Sequence, residues 1–312
     1  MYANSISRLF HLSFQFILLL SLAHSAIADA PMLVPGSTKQ ITKNVYVIPD
    51  NRVSLVPNIG IIVGDESIMV VDTGMGPKNA EIVLEEVKKI SDKPIKYLAI
   101  THFHPEHGMG AQSFPNETQI IVPIAQKLEL EKKGPGYIEF FSGMSPEIAG
   151  LLSDVRLVSP DIAFDNKMEV DLGGQKVELY YFETAHTQGD MFVYLPDQQL
   201  LFGGDIVVNR FFPIMPDADS SALGWIESLK KLKALKAKIV VPGHGAVSDA
   251  SLIEQLSIYL AAMQLKVDLA KKNELSLDQT LALLIPQFQR SYSHWDDPHW
   301  IKNTIERMYA EI

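Results

Sequence analysis

Seven side chains able to bind a metal ion fall into four short motifs. These are Thr101-His102-Phe103-His104-Pro105-Glu106-His107-Gly108, Thr184-Ala185-His186-Thr187, Gly203-Gly204-Asp205 and Pro242-Gly243-His244-Gly245. Imidazole and carboxylate donors suit zinc, iron or manganese. His102 and His104 project to one side if the chain between them is extended. Pro105 then turns the backbone, so that Glu106 and His107 can face a second centre. Glycines beside the donors let the backbone approach closely without a side-chain clash. One His-x-His pair is weak evidence. The four motifs together, spread over some 140 residues, make chance a poor explanation. They can converge only if loops at strand ends of a rigid scaffold carry them.

The elements that must do this positioning are legible as β-branched runs separated by turn residues, at 45–48, 60–63, 68–71, 95–100, 120–122, 168–170, 177–182, 191–195, 200–202 and 239–241. Residues 77–90 and 223–236 carry apolar residues at helical spacing, with Pro77 placed for a first turn. From Ala250 the pattern is helical to the end. Residues 133–153 interrupt the rhythm with Gly134, Pro135 and Gly136 ahead of Tyr137, Phe140, Phe141 and Met144. This stretch is either a helix packed on the body or an apolar lid. The order of elements predicts an α/β protein whose sheets are covered by helices.

The chain has 312 residues, no cysteine, a net charge of −10 and 47% hydrophobic residues. The missing cysteine excludes disulfides, thiolate ligands and thiol catalysis. The acidic balance argues against a nucleic-acid partner. Arg8, the apolar run 12–22 and Ala26-Ile27-Ala28 form a secretory signal pattern. The expected organisation is therefore a signal peptide at 1–28, a catalytic domain at 29–249 and a helical C-terminal extension at 250–312 packed on the same domain. The mature protein is expected to be exported, periplasmic or secreted, without a membrane association, and to act on a small molecule.

The order His-x-His-x-Glu-His, His186, Gly-Asp205, Gly-His244-Gly resembles the metallo-β-lactamase superfamily, as an HxHxEH variant of its HxHxDH motif. Val70-Val71-Asp72-Thr73-Gly74 is similar to that family's early Asp-x-Gly segment, and the likeness runs from about Val45 to Val247. It implies a four-layer αβ/βα sandwich with a metal site at an edge between two sheets. It further implies that His102, His104 and His186 hold one ion, that Glu106, His107 and His244 hold another, and that Asp205 bridges them. Two zinc ions are expected, with one ion, iron or manganese as alternatives. Water activated between the ions would hydrolyse an ester, lactone, thioester or amide bond, β-lactams included. Asp205 would orient that water, and Asp72 would support the ligand loops from behind.

Two departures from the family pattern stand out. Glu106 replaces an Asp, and its extra methylene adds about 1.5 Å of reach, where ligand distances tolerate about 0.2 Å. Either the loop backs away, or Glu106 leaves the ion and acts as a base or orienting group. The lack of cysteine separates the chain from lactamases that use a Cys ligand. It aligns the chain with lactonases, thioesterases and the third lactamase group. A mononuclear iron dioxygenase of the same fold and a non-catalytic metal-binding module are the alternatives. Phe140, Phe141, Phe211 and Phe212, with Tyr137, Met144, Pro213 and Met215, are candidates for an apolar substrate mouth. Arg210 is expected to form a surface ion pair, and Asp297 to cap the last helix, with Pro298 in its first turn.

Overall fold

Most of the central strands are apolar on both faces because both faces are covered. The computed structural model describes residues 30–312; the expected signal segment, 1–28, lies outside them. The first sheet is built in chain order from β1 (Lys39–Thr42), β2 (Val45–Ile48), β3 (Ile59–Val63), β4 (Ile68–Val71), β5 (Ile95–Ala99), β6 (Gln119–Pro123) and β7 (Ile162–Phe164). The first four strands pair antiparallel and the rest join in parallel. The second sheet runs β12 (Ile239–Val241), β11 (Leu200–Phe202), β10 (Met191–Leu195), β9 (Lys176–Tyr181) and β8 (Lys167–Asp171), antiparallel except for the β11–β12 pair.

Alternation along each strand sorts side chains between two layers. In β4, Met69 and Val71 face the other sheet, whereas Ile68 and Val70 face the outer helix α1 (Gly76–Ile90). In β10, Met191, Val193 and Leu195 meet the first sheet, whereas Phe192 and Tyr194 meet the outer helices α5 (Ala222–Ala234), α6 (Ser251–Lys272), α7 (Leu277–Ser291) and α8 (Trp300–Glu311). The result is the expected helix–sheet–sheet–helix sandwich. The C-terminal helices share one core with α5, where Trp225 is fully buried and donates through its indole N–H to the Ile206 carbonyl at 3.0 Å. Among the described residues no helix is long and apolar enough to cross a membrane.

Several local expectations need correction. Of the two readings of residues 133–153, the packed helix is the one found, although it starts earlier than the stretch suggested. A continuous α3 (Ile124–Ser142) runs through Gly134, Pro135 and Gly136, and α4 (Pro146–Leu152) follows. The helix persists despite the poor local propensity of these residues, with Gly134 packed closely against the Leu130 and Leu157 side chains. Strands β1 and β7 carried no recognised signal because they are short edges. The last helix begins at Trp300 with His299 at its cap. Asp297 sits in the left-handed region at φ 57° and offers its backbone carbonyl to Trp300. Arg210 makes no ion pair among the described residues. Its carbonyl accepts from the Asp296 N–H, while Arg52 pairs with the Asp296 carboxylate.

The topology fixes where the donors emerge. Phe202 and Val241 stand opposite each other on parallel strands, so Asp205 and His244, three residues beyond each, leave the sheet side by side. Val71 and Ala99 are paired in the same way in the first sheet, delivering Asp72 next to Thr101 and the first His cluster. A hydrogen bond of 2.7 Å from the Met191 N–H to the Thr101 carbonyl ties the two sheets together at that edge.

Candidate metal centre

All seven donors converge, and all are buried. His102 Nε2, His104 Nδ1 and His186 Nε2 stand 3.1–3.2 Å from one another. Donors at zinc–nitrogen distances in a tetrahedron stand about 3.3 Å apart, so this trio already has the spacing of one half-site. Ligand atoms of Glu106, His107 and His244 form a second group within 4.8 Å. Glu106 lies on the single-turn helix α2 (Pro105–Gly108) and joins this group, so the longer side chain still reaches the second half-site. Asp205 lies between the groups. Its Oδ1 is 3.4 Å from His107 Nε2 and 3.6 Å from His244 Nε2, and its Oδ2 is 3.7 Å from His186 Nε2.

The donor set fits a pair of cations for a further reason. Glu106 Oε2, His107 Nε2 and Asp205 Oδ1 are buried without a hydrogen-bond partner. Buried polar atoms are rarely left so, and ions held here would satisfy all three. The backs of the rings are already engaged. His107 Nδ1 meets Asp72 Oδ2 at 2.9 Å, His186 Nδ1 donates to the Ile214 carbonyl at 2.6 Å, and His244 Nδ1 donates to the Val56 carbonyl at 3.0 Å. Such contacts fix the tautomer and leave Nε2 free to bind. Asp72 also accepts from the Thr101 N–H at 2.7 Å and the Thr101 hydroxyl at 2.9 Å, and it does so from a left-handed backbone at φ 65°. Gly243 must be glycine, since a Cβ there would lie 2.1 Å from Asp205 Oδ1.

Burial holds His102, His104 and His186 below the usual imidazole range, and their neighbouring histidines push the same way. Burial also presses His107 down, but Asp205, Asp72 and Glu106 outweigh it and raise its pKa to about 9. In the metal-free protein His107 therefore keeps a proton that a cation must displace. A titration of metal-free protein is expected to show apparent affinity rising from about pH 6.5 to about 9, with one proton released as His107 is engaged. The contribution of this proton to metal-free stability has the opposite sign. It is complete below the unfolded-state value and fades as pH rises through about 9. Affinity that is flat across this interval would contradict a protonated His107.

The mouth differs from its expected composition. Tyr137 stacks on His104 with centroids 4.8 Å apart and planes 15° apart, and Phe140 follows outward, 63% exposed. Phe141 is instead buried against Met75, Met109 and Ile148. Successive helical residues point about 100° apart, so neighbouring phenylalanines on α3 cannot both face the opening. Phe211 lies 6.1 Å from His244, under the Arg52 guanidinium. Phe212 and Met215 are buried in the C-terminal core, Phe212 against Tyr259 and Trp295, on the opposite side of the chain from its neighbour Phe211.

Supporting residues escaped the sequence. Asn58 donates to the Pro242 and Gly245 carbonyls, and Asp50 accepts from the Gly245 N–H at 2.7 Å; together they hold the His244 turn. Asn58 read only as a strand break. Glu129 and Lys133 pair at helical i,i+4 spacing, a signal available only once this stretch is read as helix. Their loop partners Asp217 and Asp219 carried no local signal.

A buried cluster of histidines and carboxylates at the shared edge of two packed sheets has the composition and spacing of a metal site. Residues 54–244 match the family model of the metallo-beta-lactamase superfamily, and the chain belongs to that superfamily. It is 28% identical over 231 residues to a linear primary-alkylsulfatase of Pseudomonas sp. (strain ATCC 19151), covering 63% of this chain but only 43% of that protein. It is 27% identical over 224 residues to the metallo-beta-lactamase type 2 of Bacillus cereus, covering 70% and 79% respectively. Among solved structures, the stereoselective inverting sec-alkylsulfatase Pisa1 from Pseudomonas sp. superposes with a TM-score of 0.70 at 16% identity, over 88% of this chain and 50% of that one.

Proposed function

We propose that this protein is an exported metal-dependent hydrolase that binds two zinc ions and cleaves an ester-like bond in a small molecule. The observation that carries this is the pair of complete donor groups sharing Asp205. His102, His104 and His186 would hold one ion and Glu106, His107 and His244 the other. Bound ions supply Lewis acidity, acidifying water and polarising the oxygen at the scissile bond.

The chain's own residues do the rest. Asp205 presents one carboxylate oxygen toward each donor group and is placed to orient the attacking water. Asp72 keeps His107 turned inward. Tyr137 covers one flank of His104 and excludes water from that side, while Phe140 and Phe211 offer apolar surface to the part of the substrate that does not react. That surface favours an acyl, alkyl or lactone substrate over a highly charged one. The complete second group, Glu106 included, favours two ions over the mononuclear iron alternative. Export rests on the signal pattern at residues 1–28.

Metal analysis of purified protein, combined with a panel of lactones, thioesters, carboxylic and sulfate esters and a chromogenic β-lactam, tests this. About two zinc ions per chain and turnover abolished by a chelator are expected. Bound iron with oxygen uptake would replace hydrolysis by oxygenation. Tight metal binding without turnover of any compound would leave a binding module.

A further inference from the structure

Lys133, on α3, lies outside the seven donors, yet its three carboxylate partners lie on segments that flank one of the two half-sites. Its ammonium nitrogen is 2.8 Å from Glu129 Oε1, 2.6 Å from Asp217 Oδ2 and 2.7 Å from Asp219 Oδ1. The second oxygen of each carboxylate is also used. Glu129 Oε2 accepts from the Gln188 N–H at 2.9 Å, Asp219 Oδ2 accepts from the Gln188 amide at 2.6 Å, and Asp217 Oδ1 accepts from the Tyr137 hydroxyl at 2.8 Å.

Each of these partners leads to a donor. Gln188 is two residues beyond His186 and sets the backbone of that turn. Asp217 is three residues beyond Ile214, whose carbonyl fixes His186 Nδ1, and Ser220 of the same loop donates to the His186 carbonyl at 2.9 Å. Tyr137 stacks on His104 and packs edge-on against Phe103, centroids 4.7 Å apart. Glu129, Asp217 and Asp219 have the spacing of a cation site, but the Lys133 ammonium already occupies their centre, which makes the cluster a clamp rather than a third metal site.

We infer that Lys133 is a positioning residue for the His102–His104–His186 half-site, holding His186 through the 214–220 loop and His104 through Tyr137, with no comparable hold on the Glu106–His107–His244 half-site. This rests on the two-ion proposal above. Without the ammonium, three carboxylates from one helix and one loop repel each other. The loop then moves away from His186, and Tyr137 loses its anchor.

The test is cobalt(II) titration of metal-free protein, followed by the visible spectrum, in two single-site backgrounds. His244→Ala retains the first half-site and His186→Ala retains the second. In the His244→Ala background, Lys133→Met is expected to weaken cobalt binding about 10- to 100-fold, the usual effect of losing a group behind a ligand. In the His186→Ala background the change is expected to stay within about threefold. Lys133→Arg, which keeps the charge, should recover most of the lost affinity.

Equal weakening at both half-sites, or none at either, overturns the positioning role. Wild-type protein that takes up fewer than two ions overturns the two-ion proposal beneath it, and the role with it. Should Lys133→Met fail to give a cooperative melt, Asp217→Asn is titrated in the same two backgrounds. It removes the charge and one of the two oxygens that Lys133 and Tyr137 share, while leaving the ammonium its other two partners, and the same selective loss is required of it.

Discussion

Asp205→Asn is expected to lower kcat/KM about a thousandfold, the equivalent of about 4 kcal/mol of lost transition-state stabilisation. The substitution keeps the shape of the side chain and removes its charge. Asp205 is buried and faces three imidazoles, from His107, His244 and His186, across 3.4–3.7 Å. Those histidines hold its carboxyl below the usual range against the opposing effect of burial, so it is anionic at any working pH. An amide in its place carries no charge to balance the cations, and it offers one accepting oxygen where the two donor groups each face one. The Cβ-free backbone of Gly243 packs against the carboxylate. Steady-state kinetics with metal content measured on the same samples checks this. Activity within tenfold of wild type, at full metal occupancy, would remove Asp205 from the chemistry.

Asp72→Asn acts one layer further out and is expected to weaken the second half-site about 10- to 100-fold. The carboxylate accepts three hydrogen bonds, at the Thr101 N–H, the Thr101 hydroxyl and His107 Nδ1. An asparagine has one accepting oxygen and must turn its amide toward a donor. One buried N–H is then left unpaired, at a cost of about 1–3 kcal/mol. Asparagine tolerates the left-handed backbone at this position better than alanine does, so the loss reports on hydrogen bonding and not on backbone strain. Two measurements follow it. Thermal melts of the metal-free variant should fall below wild type, and zinc competition titrations should show one of two sites weakened. A variant that binds two ions with wild-type affinity would show that His107 orients itself without help.

The sandwich and its seven donors were legible because each carries its own local mark. Strands buried on both faces read as short apolar runs, and donors next to glycine at strand ends read as motifs. Lys39–Thr42 and Ile162–Phe164 lacked that mark because they are short strands at the edges of the first sheet. The helix through Gly134-Pro135-Gly136 stood beside a lid as one of two readings because its local composition is that of a break, and the continuous α3 decides between them. Phe141 and Phe212 were assigned to the mouth by chain proximity to Tyr137 and Asp205. Rotation along a helix turned Phe141 inward, and Phe212 lies on the opposite side of the chain from Phe211. Asp50, Asn58, Asp217 and Asp219 support donors up to 195 residues away in the chain, and nothing within their own segments announces it.

The seam between the two sheets runs through both donor groups. His102 and His104 follow a strand of the first sheet and are completed by His186 from the second; Glu106 and His107 follow the same first-sheet strand and are completed by His244 from the second. Neither sheet owns a full trio. Each ion would therefore be a rivet through two plates, so cation binding and the docking of the plates are thermodynamically linked, with saturation adding resistance to unfolding that grows with the logarithm of free ion.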